Sequence, residues 1–409
     1  MHLYELPLLF VLVGLALYTV LAGADFGAAL WQVGAGRGPR AERVRDHAHH
    51  AMGPVWEANH VWLIFVLTVL WTAYPVAFGS LASTLSVPLF LAGLGIVVRG
   101  AAYALRSGAA SDRELRSIDA ASAAGSVLAP FALAAAVGGV ASRRVPVGNA
   151  AGHLFSSWLN PTSVLVGVLA IPTSAYLAAV FLSADAVRRG HEDLASAFRG
   201  RALTAGLVAG VVTVAGPLVL HADAHPLYRG LTHGGGLAAG LLSGLAGVGT
   251  LTLVWRRRFE PARYTAALAV AAVIAGWALA QRPTLLPGLT IQAAAASHDT
   301  LVAVVVAVLA GGVVLFPSLA LLFRLALGGR LEEGDGEADE SPAPVPSRPR
   351  VMDSGLPARA AGACAVVGIG FLTVAGAGWA HAIGVLAFLA AVVLGFLAVA
   401  PGELEAGRP

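Results

Sequence analysis

Stretches of about 20 residues that carry almost no charge recur along this chain, and they limit its fold more than any other feature. A helix of about 20 apolar residues crosses a hydrocarbon core of about 30 Å. Spans are expected at roughly 6–33, 54–75, 78–98, 121–141, 158–184, 202–221, 235–255, 264–281 and 298–327, and two more at 360–380 and 383–400. A β-barrel would show short alternating segments instead, and these are absent. Only 12% of the 409 residues are charged, about half the usual share of about 25%. The expected fold is an all-α polytopic membrane protein, with about nine core transmembrane helices in two four-helix bundles plus one and two additional C-terminal helices. The first run continues to Trp31 without a cleavage pattern, so it reads as a retained helix. The single cysteine, Cys364, rules out an intramolecular disulfide.

The basic residues test these spans. All 26 are arginine, a bias that fits a GC-rich bacterial coding sequence. With the N-terminus outside, all but Arg143, Arg144, Arg229 and Arg282 fall on the inner side. Excess arginine marks cytoplasmic loops, so the expected orientation is N-terminus out and C-terminus in. The stretch "GGRLEEGDGEADESPAPVPSRPR" has no apolar period and is rich in Gly, Pro and acids, the composition of a disordered linker. The expected organisation is therefore a membrane domain over 1–327, a cytoplasmic linker over 328–359 and a two-helix membrane tail over 360–400.

Ionisable residues at membrane depth are expensive and point to function. Asp25, in "LAGADFGAALW", lies about 12 Å from the inner end of its span at 1.5 Å per residue. Glu57, in "GPVWEANHVWLIF", is expected near the inner mouth of the next span. Two carboxylates at one end of consecutive antiparallel helices could admit protons, since burial raises a carboxyl pKa. Equally, Asp25 could bond a neighbouring helix and Glu57 could favour its own helix N-terminus. "EANH" also matches the Glu-x-x-His of carboxylate-bridged di-iron bundles, but those use the motif twice and here it occurs once. No metal site is expected. His60 could ligate haem iron, although a role with Asn59 as a helix-contact residue is favoured. Trp56, Trp62 and Trp71 read as packing and interfacial anchors. "LNPTSVLVG" reads as a helix start, with Asn160 as cap and Pro161 in the first turn. "HADAHPLYRGLTH" reads as a solvated outer loop.

The second-span stretch carries a more specific signal. Pro54, Trp56, Glu57, Asn59, Val61, Trp62 and Leu63, followed by Tyr74 and Pro75, resemble the second-helix motif of subunit II of the cytochrome bd-type quinol oxidases. "GADFGAAL" resembles that family's Asp-Gly-Phe-Asp-x-Gly stretch, and "LNPTSVLVG" resembles its Leu-Asn-Pro helix start. The resemblance covers about residues 1–327. It implies one half of a heterodimer in the bacterial plasma membrane, whose subunit I holds haem b, haem d and the quinol site and reduces dioxygen to water. It also leaves room for a quinone bound by this subunit. The implied role for this chain is to support assembly and to line a cytoplasmic proton route, with Asp25 and Glu57 at the family's acidic positions. No catalytic residue is implied in this subunit, and the expected partners are subunit I, membrane lipid and the quinol pool, with no nucleic acid. The chain departs from the family in having Ala22 for the motif's first aspartate, Glu57 where aspartate is common, and the two-helix tail.

Two other readings stand beside this one. A proton-coupled secondary transporter could use the same carboxylates, but would more often show broken midplane helices in matched halves. In a purely structural partner, both carboxylates would be satisfied packing residues.

Overall fold

The computed structural model describes residues 2–36, 38–106, 111–327, 356–374 and 378–399; for 52–58 and some other helical positions it describes the backbone alone. The chain divides into two compact units, Met1–Arg330 and Leu331–Pro409.

The first unit is helical almost throughout. Its helices are α1 (Leu6–Val33), α2 (Pro39–Ala73), α3 (Pro75–Thr84), α4 (Ser86–Leu105), α5 (Asp112–Ala141), α6 (Pro161–Arg188), α7 (Glu192–Asp223), α8 (His225–Thr232), α9 (Gly234–Trp255), α10 (Phe259–Gln281), α11 (Ile291–Ala294) and α12 (His298–Leu327). Between α10 and α11 lies a two-stranded antiparallel hairpin of β1 (Thr284–Leu286) and β2 (Leu289–Thr290). Sequential helices pair: α1 with α2, α4 with α5, α6 with α7, and α9 with α10. The first two pairs form one four-helix group and the last two another. They meet where α1 and α5 pack on α6, while α12 packs against α2 and α1.

Among the described residues, eight helices are long and apolar enough to cross a membrane, and α2 adds a shorter apolar stretch, Asn59–Ala73. Apolar side chains remain exposed on the outer faces, as lipid contact requires: Leu218, Leu245 and Val313 are each more than 70% exposed. The protein is a multi-pass membrane protein.

Local chemistry explains the helix ends. Asn160 caps α6 as expected: its Oδ1 accepts from the Ser163 backbone N–H at 2.9 Å, and Pro161 opens the helix. α2 stops before Pro75, which has no N–H to donate to the helix. There the buried Tyr74 hydroxyl donates to the Tyr4 carbonyl oxygen at 2.6 Å and accepts from the Leu8 N–H at 3.0 Å. At the same end, the Asp223 carboxylate accepts from the Thr162 N–H and hydroxyl at 3.0 and 2.6 Å and pairs with Arg144 at 2.7 Å.

Several expected boundaries move. α2 begins at Pro39, because Val44, His47 and Ala48 bury one face of its first turns, and Val44 and Ala48 join the core that α6 and α7 supply. The expected third span, 78–98, divides into α3 and α4 at Leu85. The segment read as a solvated loop contains α8, anchored by buried Leu227.

Of the expected linker, residues 328–355 lie outside the described residues. The described residues of the second unit form α13 (Leu356–Val374) and α14 (Gly378–Val399), packed on one another.

Candidate functional site

The site is built where α1, α2, α4 and α5 converge. Small residues bring the backbones close there. A Cβ at Gly125 of α5 would lie 2.5 Å from the Gly95 carbonyl oxygen and 3.2 Å from the Arg99 nitrogen. Where α1 packs on α6, a Cβ at Gly27 would likewise collide with the Ser174 carbonyl oxygen. Such approach is typical of membrane helices, whose association rests on close packing.

Into this junction α1 presents Asp25, only 1% exposed, and α4 presents Arg99, 6% exposed. Arg99 Nε donates to Asp25 Oδ2 at 3.0 Å, while Nη2 donates to Oδ1 and, at 3.0 Å, to the Asp25 backbone oxygen. The guanidinium thus grips the carboxylate with the two-pronged geometry that its planar fork favours. Arg99 Nη1 reaches the Ser126 hydroxyl of α5 at 3.4 Å, and the guanidinium sits 5.6 Å from the Phe26 ring centre. Asn59 of α2 donates from Nδ2 to Asp25 Oδ2 at 3.4 Å; its buried Oδ1 has no hydrogen-bond partner among the described residues.

Below this pair lies a cavity of about 20 Å³, lined by Asp25, Gln32, His49, Arg99, Arg106 and Asp119 among others. That is room for one water molecule. Arg106 and Asp119 form a second, half-buried ion pair, and His49 stacks on Tyr103 with ring centres 4.7 Å apart. Burial, with the like charges of Arg106 and His50, pushes the His49 pKa below its ordinary 6.5. The result is a ladder of polar groups leading from the arginine-rich helix ends to a buried, charge-balanced carboxylate. It can hold water and relay hydrogen bonds. It cannot admit a porphyrin, so a haem does not fit this site.

The sequence-derived candidates fare differently. Asp25 and Asn59 are brought together. Trp62 is 6% exposed and packs in a cluster with Tyr18, Ala22, Phe26 and Ala129, so it is a core residue at the level of Asp25. His60 is half-buried. The side chains of Trp56 and Glu57 lie outside the described residues. The backbone of Glu57 is described. It lies two residues before the apolar stretch Asn59–Ala73 of α2, about 3 Å along the helix from Asn59, which reaches Asp25. Trp71, 64% exposed, stacks on Phe78. Among the described residues no three His, Cys, Asp or Glu side chains gather as a metal site would require.

Arg99 was missed by sequence reasoning. A third span ending at 98 made it a loop arginine, and with it went Ser126 and the Arg106–Asp119 layer. The usable signal was a lone arginine inside "GIVVRGAAYAL", flanked by apolar and small residues.

The sequence pattern of the family described as "Cytochrome bd terminal oxidase subunit II" matches residues 3–326. The chain belongs to this family. As a member, it is a subunit of a quinol-oxidising, oxygen-reducing complex of the respiratory chain, and it assembles with another oxidase subunit. The fold agrees: "The structure of bd oxidase from Geobacillus thermodenitrificans" matches with a TM-score of 0.62 at 24% identity, over 80% of this chain and 99% of that one. No curated protein matches the sequence. The family assignment favours an oxidase subunit over the transporter alternative, and it covers every residue of the Asp25 junction.

Proposed function

We propose that this subunit supports assembly of a haem-bearing subunit I and lines a proton route that serves oxygen reduction from the arginine-rich, cytoplasmic side. The observation that carries this reading is the water-sized cavity joining buried Asp25 and Arg99 to His49, Arg106 and Asp119 at the helix ends. Haem b and haem d, held by the partner, would supply the electron path to dioxygen. This chain would supply protons and a rigid face.

Each residue has a distinct part. Arg99 grips the Asp25 carboxylate through its planar fork and holds it in place. His49, neutral near pH 7 because burial lowers its pKa, can accept a proton from the helix-end side and pass it to a cavity water. Glu57, two residues before Asn59 on α2, is the second acidic group of the route. Its extra methylene relative to aspartate lengthens its reach across the junction. Asn59, His60, Trp56 and Trp62 hold α2 in register around it. The N-terminus lies outside and the C-terminus inside, which places the arginine-rich ends in the cytoplasm in accord with the charge rule.

Co-expression with the cognate partner gene tests this. The expected result is a complex with b- and d-type absorbance and quinol oxidase activity, while this chain alone yields little haem absorbance. Purification as a lone monomer that carries solute flux would overturn the assignment.

A further inference from the structure

Three consecutive arginines, Arg256, Arg257 and Arg258, form the turn between α9 and α10, and all three are exposed. Backbone bonds fix this turn. The Arg256, Arg257 and Arg258 N–H groups donate to the carbonyl oxygens of Thr252, Val254 and Leu253 at 3.0, 3.1 and 2.8 Å. Arg257 thereby stands in the left-handed region, at φ 58°. Glycine is the usual residue at that place after a helix, because a Cβ is strained there. The end of α6 closes with the same set of bonds and has Gly190 in that place, at φ 73°. The α9 turn therefore bears strain while presenting an arginine.

The helix end does not need these side chains. Its last carbonyl oxygens are taken by the turn itself and by Arg199 of α7, whose Nε and Nη2 reach the Val254 and Trp255 oxygens at 3.2 and 2.9 Å. No acid answers them either. Among the described residues none of the three makes an ion pair, and the neighbouring Glu260 faces Arg188 and Arg263 at 3.6 and 3.4 Å. Other arginines at this end of the bundle do pair, Arg43 with Asp193 at 2.8 Å and Arg189 with Asp185 at 3.0 Å. The face of α9 that leads to the turn is apolar and open. Leu241, Leu245 and Val248 follow one another along it at helical spacing and are exposed, and Trp255, two turns on, ends the stripe at 67% exposure. Tyr264, in the second turn of α10, is 75% exposed. Amphipathic rings at helix ends sit at headgroup level. Along α9 the order is thus hydrocarbon, amphipathic ring and fixed cation, the order of a phospholipid from tail to phosphate.

We propose that the 256–258 turn binds the phosphate of an anionic phospholipid whose acyl chains lie along the Leu245 and Val248 face of α9. Arginine forks match phosphate oxygens. Three cations held in one turn favour a headgroup of net negative charge over a zwitterionic one. The site lies on the α9–α10 pair, in the second four-helix group and apart from the Asp25 junction.

Native mass spectrometry of the purified complex, exchanged into phosphatidylglycerol or phosphatidylcholine, tests the proposal. The wild type is expected to retain phosphatidylglycerol through delipidation and to lose phosphatidylcholine. Arg257→Gly should weaken that retention about tenfold, the loss of one charge-assisted contact. The triple variant Arg256→Gln, Arg257→Gly, Arg258→Gln should abolish it. Because glycine relieves the left-handed residue, the Arg257→Gly complex in lipid-free detergent should unfold at the wild-type temperature or above. A purely structural role predicts a lower temperature with retention unchanged, and that result would overturn the proposal. Arg143 holds the same left-handed place after α5, at φ 59°, beside the far end of α7. Arg143→Gly should leave retention unchanged; an equal loss there would reduce the effect to overall charge and overturn the site. Wild-type retention in the triple variant, or equal retention of the two lipids, would do the same. Retention that appears only when the acids of 332–340 are neutralised would also overturn it, by assigning the turn to that segment.

Discussion

Removing one partner of the Asp25–Arg99 pair leaves the other charge buried without compensation. In Asp25→Ala, Arg99 at 6% exposure keeps only a backbone oxygen at 3.0 Å and the Ser126 hydroxyl at 3.4 Å. In Arg99→Ala, the carboxylate keeps only Asn59 Nδ2 at 3.4 Å. Breaking such a pair from one side costs about 3–5 kcal/mol, whereas replacing both charges with apolar groups is often nearly neutral. Against a total stability of about 5–15 kcal/mol, either single change should remove much of the folded population. Asp25→Ala combined with Arg99→Met should recover most of the loss, because each compensates the other's uncompensated charge. The assay is thermal unfolding of the complex in detergent, with haem absorbance reporting assembly. The cycle should return a coupling of about 2 kcal/mol or more. Single variants within about 0.5 kcal/mol of wild type, or a double variant that loses the sum of both, would refute the claim that this pair holds the junction.

Other outcomes follow from individual contacts. Gly27→Val should abolish assembly, since even its Cβ would collide with the Ser174 carbonyl oxygen, while Gly93→Ala, with nothing within 4 Å, should assemble normally by haem content. Trp62→Ala should cost about 3–5 kcal/mol in thermal unfolding, well above the loss from Trp71→Ala, because Trp62 is 6% and Trp71 64% exposed. For His47 and His49, burial holds the folded pKa below the ordinary 6.5; the unfolded chain therefore binds protons more readily, and stability falls as pH drops below about 6.5. A His47→Gln, His49→Gln double variant should lose less stability on acidification, measured as Tm against pH; an unchanged slope would contradict the assignment.

The order of the helices was legible because lipid imposes one pattern: each span needs its own uncharged run, and nine such runs are visible over residues 1–327. Less legible was whatever depended on packing between runs. The first turns of α2 carry arginines and histidines and read as a loop, yet Val44, His47 and Ala48 lie on one face and are buried. That extension carries α2 about five and a half turns beyond the apolar stretch that begins at Asn59. Arg99 was hidden by an error of a few residues in a span boundary, and that error concealed the counter-charge of the candidate site. Asp25 itself was found by depth alone, as a carboxylate that an apolar helix would not carry without a reason.

Proton uptake from the arginine-rich side, measured with oxygen consumption in the liposome-reconstituted complex, tests the central claim most directly. Glu57→Gln keeps the size of the side chain and removes its ability to carry a proton. With the haem absorbance at its wild-type level, uptake and oxygen consumption should both slow, by about ten- to a hundredfold if this group relays the rate-limiting proton. Wild-type rates of both, with full haem content, would contradict a proton route through this subunit.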